Sequence, residues 1–342
     1  MDQRTIMALG QSSHVISLPK TWLKTNNLKQ GDRVSLNVQR DGSLVLYPSA
    51  NVTEEVRKIH LNVGIDESAN SIIRRIISAY LDGYIMIRLT SEKIFSINQQ
   101  RAIRQIVSTL YMMIIESEAS SIVLETLIDE SKASVSSGIN RMHIIVSSMC
   151  RDILLSLKNW DENLVRSVVS LENDVDQLLY LLLRLIRSSA VNPSLADRQD
   201  LDVLDCLDYQ TLVHRIEHVA DHATNIANSI LALIESKLDL PKRIIVTLTN
   251  TAELAFSSYN EAVQSYLVKD IKPTNEIIDK QNEIEKINRE ITTLLPFGEP
   301  YEASILSHLI SIMDSIMRIS KDSADIAELT IDRAYKFVNA KS

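Results

Sequence analysis

The sequence predicts a multidomain α+β protein in which a small β-rich head and an α+β connector precede a long helical body. Three observations carry that reading. Five of the seven glycines (Gly10, Gly31, Gly42, Gly64 and Gly83) fall early in the 342 residues, so turn-rich structure gives way to helices. Beyond them, Pro193, Pro241, Pro273, Pro296 and Pro300 are sparse breakers between long segments. The tail also repeats itself: at an offset of 100 HRIEHVADHATNIA lies over DSIMRISKDSADIA, and at 109 LENDVDQLLYLL lies over KQNEIEKINREI.

The apolar content of 45% is enough for ordinary cores, and the net charge is −8. That average hides an asymmetry. Residues 1–50 carry six Lys and Arg against three Asp, so a basic head sits on an acidic body. Cys150 and Cys206 are too few for a disulfide framework or a thiolate zinc site, which points to a reducing interior. MDQRTIMALG lacks the apolar run of a signal peptide. The most apolar window, LLYLLLRLI at 178–186, is too short to span a bilayer and contains Arg184. A soluble cytoplasmic protein is expected.

In the head, 1–48, TIMALG and HVISL read as short strands, and PKTWLKTNN as a short helix with Pro19 at its first position. RVSLNVQ and SLVLYP form a hairpin across Asp41-Gly42, the dipeptide that a positive-φ turn needs. So few short strands bury little apolar surface. A partner chain is expected to complete the core. The run GQSSHVISLPKTWLKTNNLKQGD followed by RVSLNVQRDGSLVLYP resembles the SpoVT/AbrB swapped-hairpin DNA-binding domain. The resemblance implies a β-barrel of two interleaved chains that presents basic side chains to DNA. Arg4, Lys20, Lys24 and Arg33 would contact phosphates, with Ser12 and Ser13 near the backbone. The alternative is a head that only dimerises.

The connector, 49–130, reads as α+β. VRKIHLNVGI is a strand, SANSIIRRIISAYLDG a helix ended by Gly83, YIMIRL a second strand and INQQRAIRQIVSTLYM a second helix, with one or two more strands in ASSIVLETLI. No glycine-rich phosphate loop follows a strand, which argues against nucleotide binding. Arg74-Arg75 reads as a solvated helix face.

The body divides into six helices at about 131–157, 161–189, 197–236, 241–267, 273–294 and 301–339, grouped as three-helix repeats over 131–238 and 239–342. Its chemistry concentrates in LVHRIEHVADHATNIA at 212–227, which is apolar on one side and carries three of the seven histidines. Glu217 and Asp221 stand one turn apart there, as Glu172 and Asp176 do on the preceding helix. Two such helices side by side bring four carboxylates together, a donor set for hard or borderline cations. The second repeat departs from this, with Gln281 opposite Glu172, Glu285 opposite Asp176, Met317 opposite Glu217 and Lys321 opposite Asp221. Lys321 is expected to supply the charge that a metal would have given.

His214-x-x-Glu217-His218 matches the inverted zinc-protease signature, but no third ligand or cleft domain accompanies it. No Ser/His/Asp or Cys/His arrangement stands out, so a non-enzymatic protein is expected. The pattern VxxLExDVDxLL followed by HRIEHVADHATNIA is similar to the PhoU family of phosphate-uptake regulators. That resemblance implies tandem three-helix bundles and a metal set of Glu172, Asp176, Glu217 and Asp221, with His214 and His218 peripheral and Fe, Mn, Mg or Zn as the ion. Head, connector and body together resemble archaeal phosphate-uptake-regulator proteins. The implied function is a DNA-binding, homodimeric transcriptional regulator of phosphate uptake whose body senses metal or phosphate status. The alternative is a regulator that docks on a phosphate transporter's ATPase or a sensor kinase.

Overall fold

The computed structural model describes residues 3–10, 12–38, 42–48, 57–237, 240–294 and 303–336. The chain divides into two compact units, the head and a larger unit over Val56–Lys336.

In the head, β1 (Met7–Leu9) pairs antiparallel with β2 (Ser13–Val15) around Gly10, whose φ of 72° suits a residue without a Cβ. Helix α1 (Lys20–Thr25) follows. Pro19 caps it in an extended conformation instead of opening it as predicted, since the proline ring permits both. Strands β3 (Val34–Val38) and β4 (Leu44–Pro48) pair antiparallel. Gly42 takes the predicted positive φ, while Asp41 lies outside the described residues.

The register sets Val34, Leu36 and Val38 opposite Pro48, Leu46 and Leu44, which gives the hairpin one apolar face. Leu36 is 61% exposed and Val38 70%. None of the described head residues is buried. Among the described residues the two hairpins form separate two-stranded sheets, so the expected swapped-hairpin barrel is not seen.

The connector builds a four-stranded sheet in the order β5-β6-β8-β7. β5 (Lys58–Val63) runs parallel to β6 (Met86–Ser91) through helix α2 (Ala69–Leu81), which Ser68 caps and which ends at Gly83 with a φ of 83°. Helix α3 (Ile97–Thr109) starts in a Ser96/Gln99 capping box and leads to the hairpin of β7 (Met112–Ser117) and β8 (Ser121–Thr126). The sequence reading extended α3 through Tyr111 and Met112. Tyr111 instead adopts a φ of 50°, which breaks the helix and turns Met112 into a strand.

The body consists of α4 (Val135–Asn159), α5 (Glu162–Val191), α6 (Pro193–Gln199), α7 (Val203–Glu235), α8 (Lys242–Val268), α9 (Thr274–Leu294) and α10 (Ala303–Ala334). The predicted helix at 197–236 is two elements. Residues 197–199 close the short α6, and α7 begins afresh after Asp202, which forms a capping box with Asp205. The long helices share one continuous core that includes Ile139, Leu182, Ile216, Phe256, Ile284 and Ile319.

Four apolar pairs aligned at the offset of 100 are buried: Ile216 with Ile316, Val219 with Ile319, Ile226 with Ile326 and Ala227 with Ala327. The equivalent helices α7 and α10 pack antiparallel, joined at one end by Lys336 to Asp202 (2.6 Å) and farther along by Arg215 to Asp322 (2.9 Å). His222 and Asp322 are counterparts at the offset of 100, and they face each other at 4.0 Å. A residue that meets its own counterpart marks a two-fold axis, so the repeats are related as the halves of an isologous dimer.

Candidate functional site

Helices α5 and α7 lie side by side. The ordinary four-residue spacing puts Glu172 and Asp176 on one and Glu217 and Asp221 on the other, all half-buried. Burial and one another's charge bear on all four. Burial, then Asp221 and Asp176, push the Glu172 carboxyl up, and burial with Asp221 does the same to Asp176. Glu217 is pushed up to about 7 by burial first and then by Asp221, Asp176, Asp322 and Glu172. Burial also raises Asp221, against the pull of His218 and a hydrogen bond with Glu217. Four carboxylates thus repel one another across the α5–α7 contact.

The oxygen donors suit a hard or borderline divalent cation, which would relieve that repulsion. Among the described residues, no group of three or more His, Cys, Asp or Glu side chains is gathered as an ion would gather them. A cation would therefore have to draw in donors that stand facing each other but apart.

The histidines of the same helix turn toward the other repeat. His218 Nδ1 lies 3.6 Å and His222 Nε2 4.0 Å from the Asp322 carboxylate, while Arg215 donates to Asp322 and pairs with Asp325, both at 2.9 Å. Burial raises the Asp322 carboxyl, and Arg215 and His218 oppose it. Burial lowers both His214 and His222, the latter to about 4. His218 thus lies between Glu217 (3.9 Å) and Asp322, while His214 stands near His218 and Arg215. The sequence reading missed Arg215, Asp322 and Asp325, because Asp322 matters through a helix one repeat away.

At the corresponding place in the second repeat, Gln281 donates to Glu285 (3.3 Å) and Asn288 donates to the Met317 sulfur (3.3 Å). Lys321 is exposed and has no ion pair among the described residues, so it does not stand in for a cation as expected.

The residues predicted to meet DNA form a separate set. Arg4, Ser12, Ser13, Lys20, Lys24 and Arg33 are all exposed in the head, with Lys20 opening α1 and Lys24 in its last turn. Among the described residues no helix is long and apolar enough to cross a membrane.

Residues 139–230 match the PhoU domain, and residues 9–53 match the family described as antidote-toxin recognition MazE, bacterial antitoxin. The chain is 25% identical over 206 residues to a phosphate-specific transport system accessory protein PhoU homolog of Rhizobium meliloti (strain 1021), covering 58% of this chain and 84% of that protein. PhoU from Pseudomonas aeruginosa superposes with a TM-score of 0.51 at 19% identity, over 58% of this chain and 93% of that one. The phosphate transport system regulatory protein PhoU from Streptococcus pneumoniae gives 0.49 at 14% identity, over 60% and 96%. The body therefore has a PhoU-like fold.

Proposed function

We propose that this protein regulates phosphate uptake from the cytoplasm, binding operator DNA through a dimeric head and reading cation or partner status through its helical body. The observation that carries the reading is the union, on one chain, of a PhoU-domain match with an antitoxin-type head that is basic and has no buried core. A second copy would cover the apolar face of β3 and β4, interleaving the hairpins into a barrel. Arg4, Lys20, Lys24 and Arg33 would then neutralise phosphates and set the register on the duplex, with Ser12 and Ser13 hydrogen bonding to the backbone.

In the body, Glu172, Asp176, Glu217 and Asp221 would hold a divalent cation such as Mn, Mg or Fe, and zinc if His218 or His214 joins. Bound there, the ion supplies positive charge and a template for the facing helices, not a reaction. A gel shift on promoter DNA tests the head: Lys20→Glu with Lys24→Glu should abolish the shift, and the wild-type affinity should fall steeply as salt rises. Equal binding by the variant would overturn the DNA claim. Elemental analysis tests the body, where Glu217→Ala with Asp221→Ala should remove bound metal. Metal content unchanged by the pair would leave the carboxylates as a solvated face.

A second reading is favoured by the acidic charge of everything outside the head and by the relative named as a transport accessory protein. In it the head only dimerises, and the body docks on a phosphate transporter's ATPase or a sensor kinase. Capture from cell extract with the wild type and with the Lys20/Lys24 variant separates the two. Identical protein partners and no co-purifying DNA in either case would favour docking.

A further inference from the structure

The connector's sheet turns one face inward. Leu61, Leu89, Leu124 and Ile114, one from each strand, join Ile76 of α2 and Ile103 of α3 in the connector's core. Those helices are taken up in turn by the body, where Arg184 of α5 donates to the carbonyls of Tyr80 (2.6 Å) and Tyr84 (3.0 Å), with its guanidinium 4.7 Å over the Tyr80 ring. The alternate residues of the strands point the opposite way, and the register sets them in rows. One row runs Lys58, Met86, Glu125, Met113 across β5, β6, β8 and β7. The next runs His60, Arg88, Val123, Glu116, where a bulge in β7 brings Glu116 round to this side.

This outer face is divided by charge. Lys58, His60 and Arg88 stand on β5 and β6, whereas Glu116 and Glu125 stand on β7 and β8. Thr90 donates to Asn62 (2.9 Å), which leaves it to accept from His60 Nε2 (2.6 Å) and fixes the ring on the basic half. Arg88 and Glu116 are each about half exposed and pair at 3.3 Å across Val123, which is fully buried although it points away from the connector's core. Met113, at the end of its row, is 45% exposed.

The division of charge decides what fits. A polyanion would meet Glu116 and Glu125, and a basic surface would meet Lys58 and Arg88. A surface with the same two halves in the opposite order satisfies both, and a second copy of this face is such a surface. Of the two-fold axes that lay two copies face to face, one running across the strands sets β5 on β5, basic on basic. The axis running along the strands sets β5 on β7 and β6 on β8 instead. His60 then faces the partner's Glu116, Arg88 lies over the partner's Val123, and Lys58 meets the partner's Met113 with the partner's Glu125 next to it in the row.

We propose that the outer face of the connector's sheet is a contact between two copies of this chain, related by a two-fold axis along the strands. It depends on neither the DNA nor the cation reading. The face measures about 19 by 17 Å, roughly 300 Å² per copy against about 800 Å² for a standard interface, so the contact is weak by itself and a covalent trap reads it best.

The experiment oxidises the full chain carrying His60→Cys with Glu116→Cys and follows covalent dimer on a non-reducing gel. Within one chain these positions lie three strands apart, roughly 14 Å, beyond the about 7 Å between Cα atoms that a disulfide spans. Disulfides do join sheets packed face to face, and the native Cys150 and Cys206 are buried. The pair should give at least about tenfold more covalent dimer than either single variant, because in this geometry neither position meets its own copy. Lys58→Glu added to the pair should lower the yield about fivefold, and Glu125→Lys in the same chain should restore it. Lys58→Cys with Met113→Cys, facing positions in the neighbouring row, is a second trap should the first variant fail to fold. No covalent dimer from a folded pair, equal trapping by the single variants, or a yield indifferent to Lys58→Glu would overturn the contact.

Discussion

His143 shows how a single buried side chain ties the two repeats together. It sits on α4, yet its ring nitrogens face Tyr259 (3.2 Å) and Gln264 (3.3 Å) of α8, and Ser147 beside it donates to Asn260 at 2.6 Å. Burial lowers its pKa to about 4, so the folded protein holds the neutral ring. An unfolded histidine titrates near 6.5. Between those values the unfolded chain takes up a proton that the folded chain refuses, so stability falls as pH drops through that window and does not change above it on this account. The loss should reach about 3 kcal/mol at the acid end, and His143→Gln should remove that part of the slope, as urea unfolding at about pH 5 and pH 7 would report. A slope identical in the variant would place the titration elsewhere. Neither His143 nor Arg184 announced itself in the sequence. A lone histidine in a helix and a lone arginine in an apolar run acquire their meaning from Tyr259 and Tyr80, which are remote along the chain.

Among the elements, α4 shows why a glycine persists inside a long helix. Gly138 has an ordinary helical φ, but a Cβ built on it would stand 2.6 Å from Leu182 Cδ2 on α5. Leu182 is fully buried and has nowhere to move. Alanine is about 1 kcal/mol better than glycine in a helix, while overpacking a filled contact costs about 1–3 kcal/mol. Gly138→Ala should therefore destabilise the protein by about 1 kcal/mol net, measured as a lower urea midpoint with an unchanged slope. A raised midpoint would mean that α4 and α5 can separate at no cost.

Helix identity was legible throughout the body because apolar periodicity over three or more turns leaves little ambiguity. Ends were less so. The split between α6 and α7 depended on Asp202 and Asp205 capping each other, and β7 depended on Tyr111 taking a positive φ that favours glycine or asparagine. The pairing of α5 with α7 could be anticipated from two matching carboxylate spacings. The contact of α7 with α10 could not, because a repeat in sequence says nothing of whether its copies touch.

At the scale of the whole molecule, the head is the part with no buried residue among those described. Leu36 and Val38 leave most of their surface in water, and a hairpin with one bare apolar face is marginal. With a second copy covering that face, as proposed, Leu36→Glu should shift the protein from dimer to monomer in light scattering and abolish the gel shift together with it. A variant that stays dimeric would mean that the chains associate through another surface. The basic charge of the head and its turn residues were visible in the sequence, because composition and Asp-Gly turns are local properties. Which face of the hairpin is apolar was visible only once the register of β3 and β4 was known.

The contact of His222 with its own counterpart, Asp322, has a bearing on history. Two chains that once associated through identical helices would have been obliged to keep every polar group on that surface compatible with its own copy. Fusion into one chain lifts that obligation, since a change in one half no longer appears in the other. Arg215 and Ser315 occupy matching places but carry different chemistry, and Met317 and Lys321 stand where the first half keeps Glu217 and Asp221. The second half nonetheless forms the wall, through Asp322 and Asp325, against which Arg215, His218 and His222 are held. The two halves thus share one core and differ in the side chains set upon it.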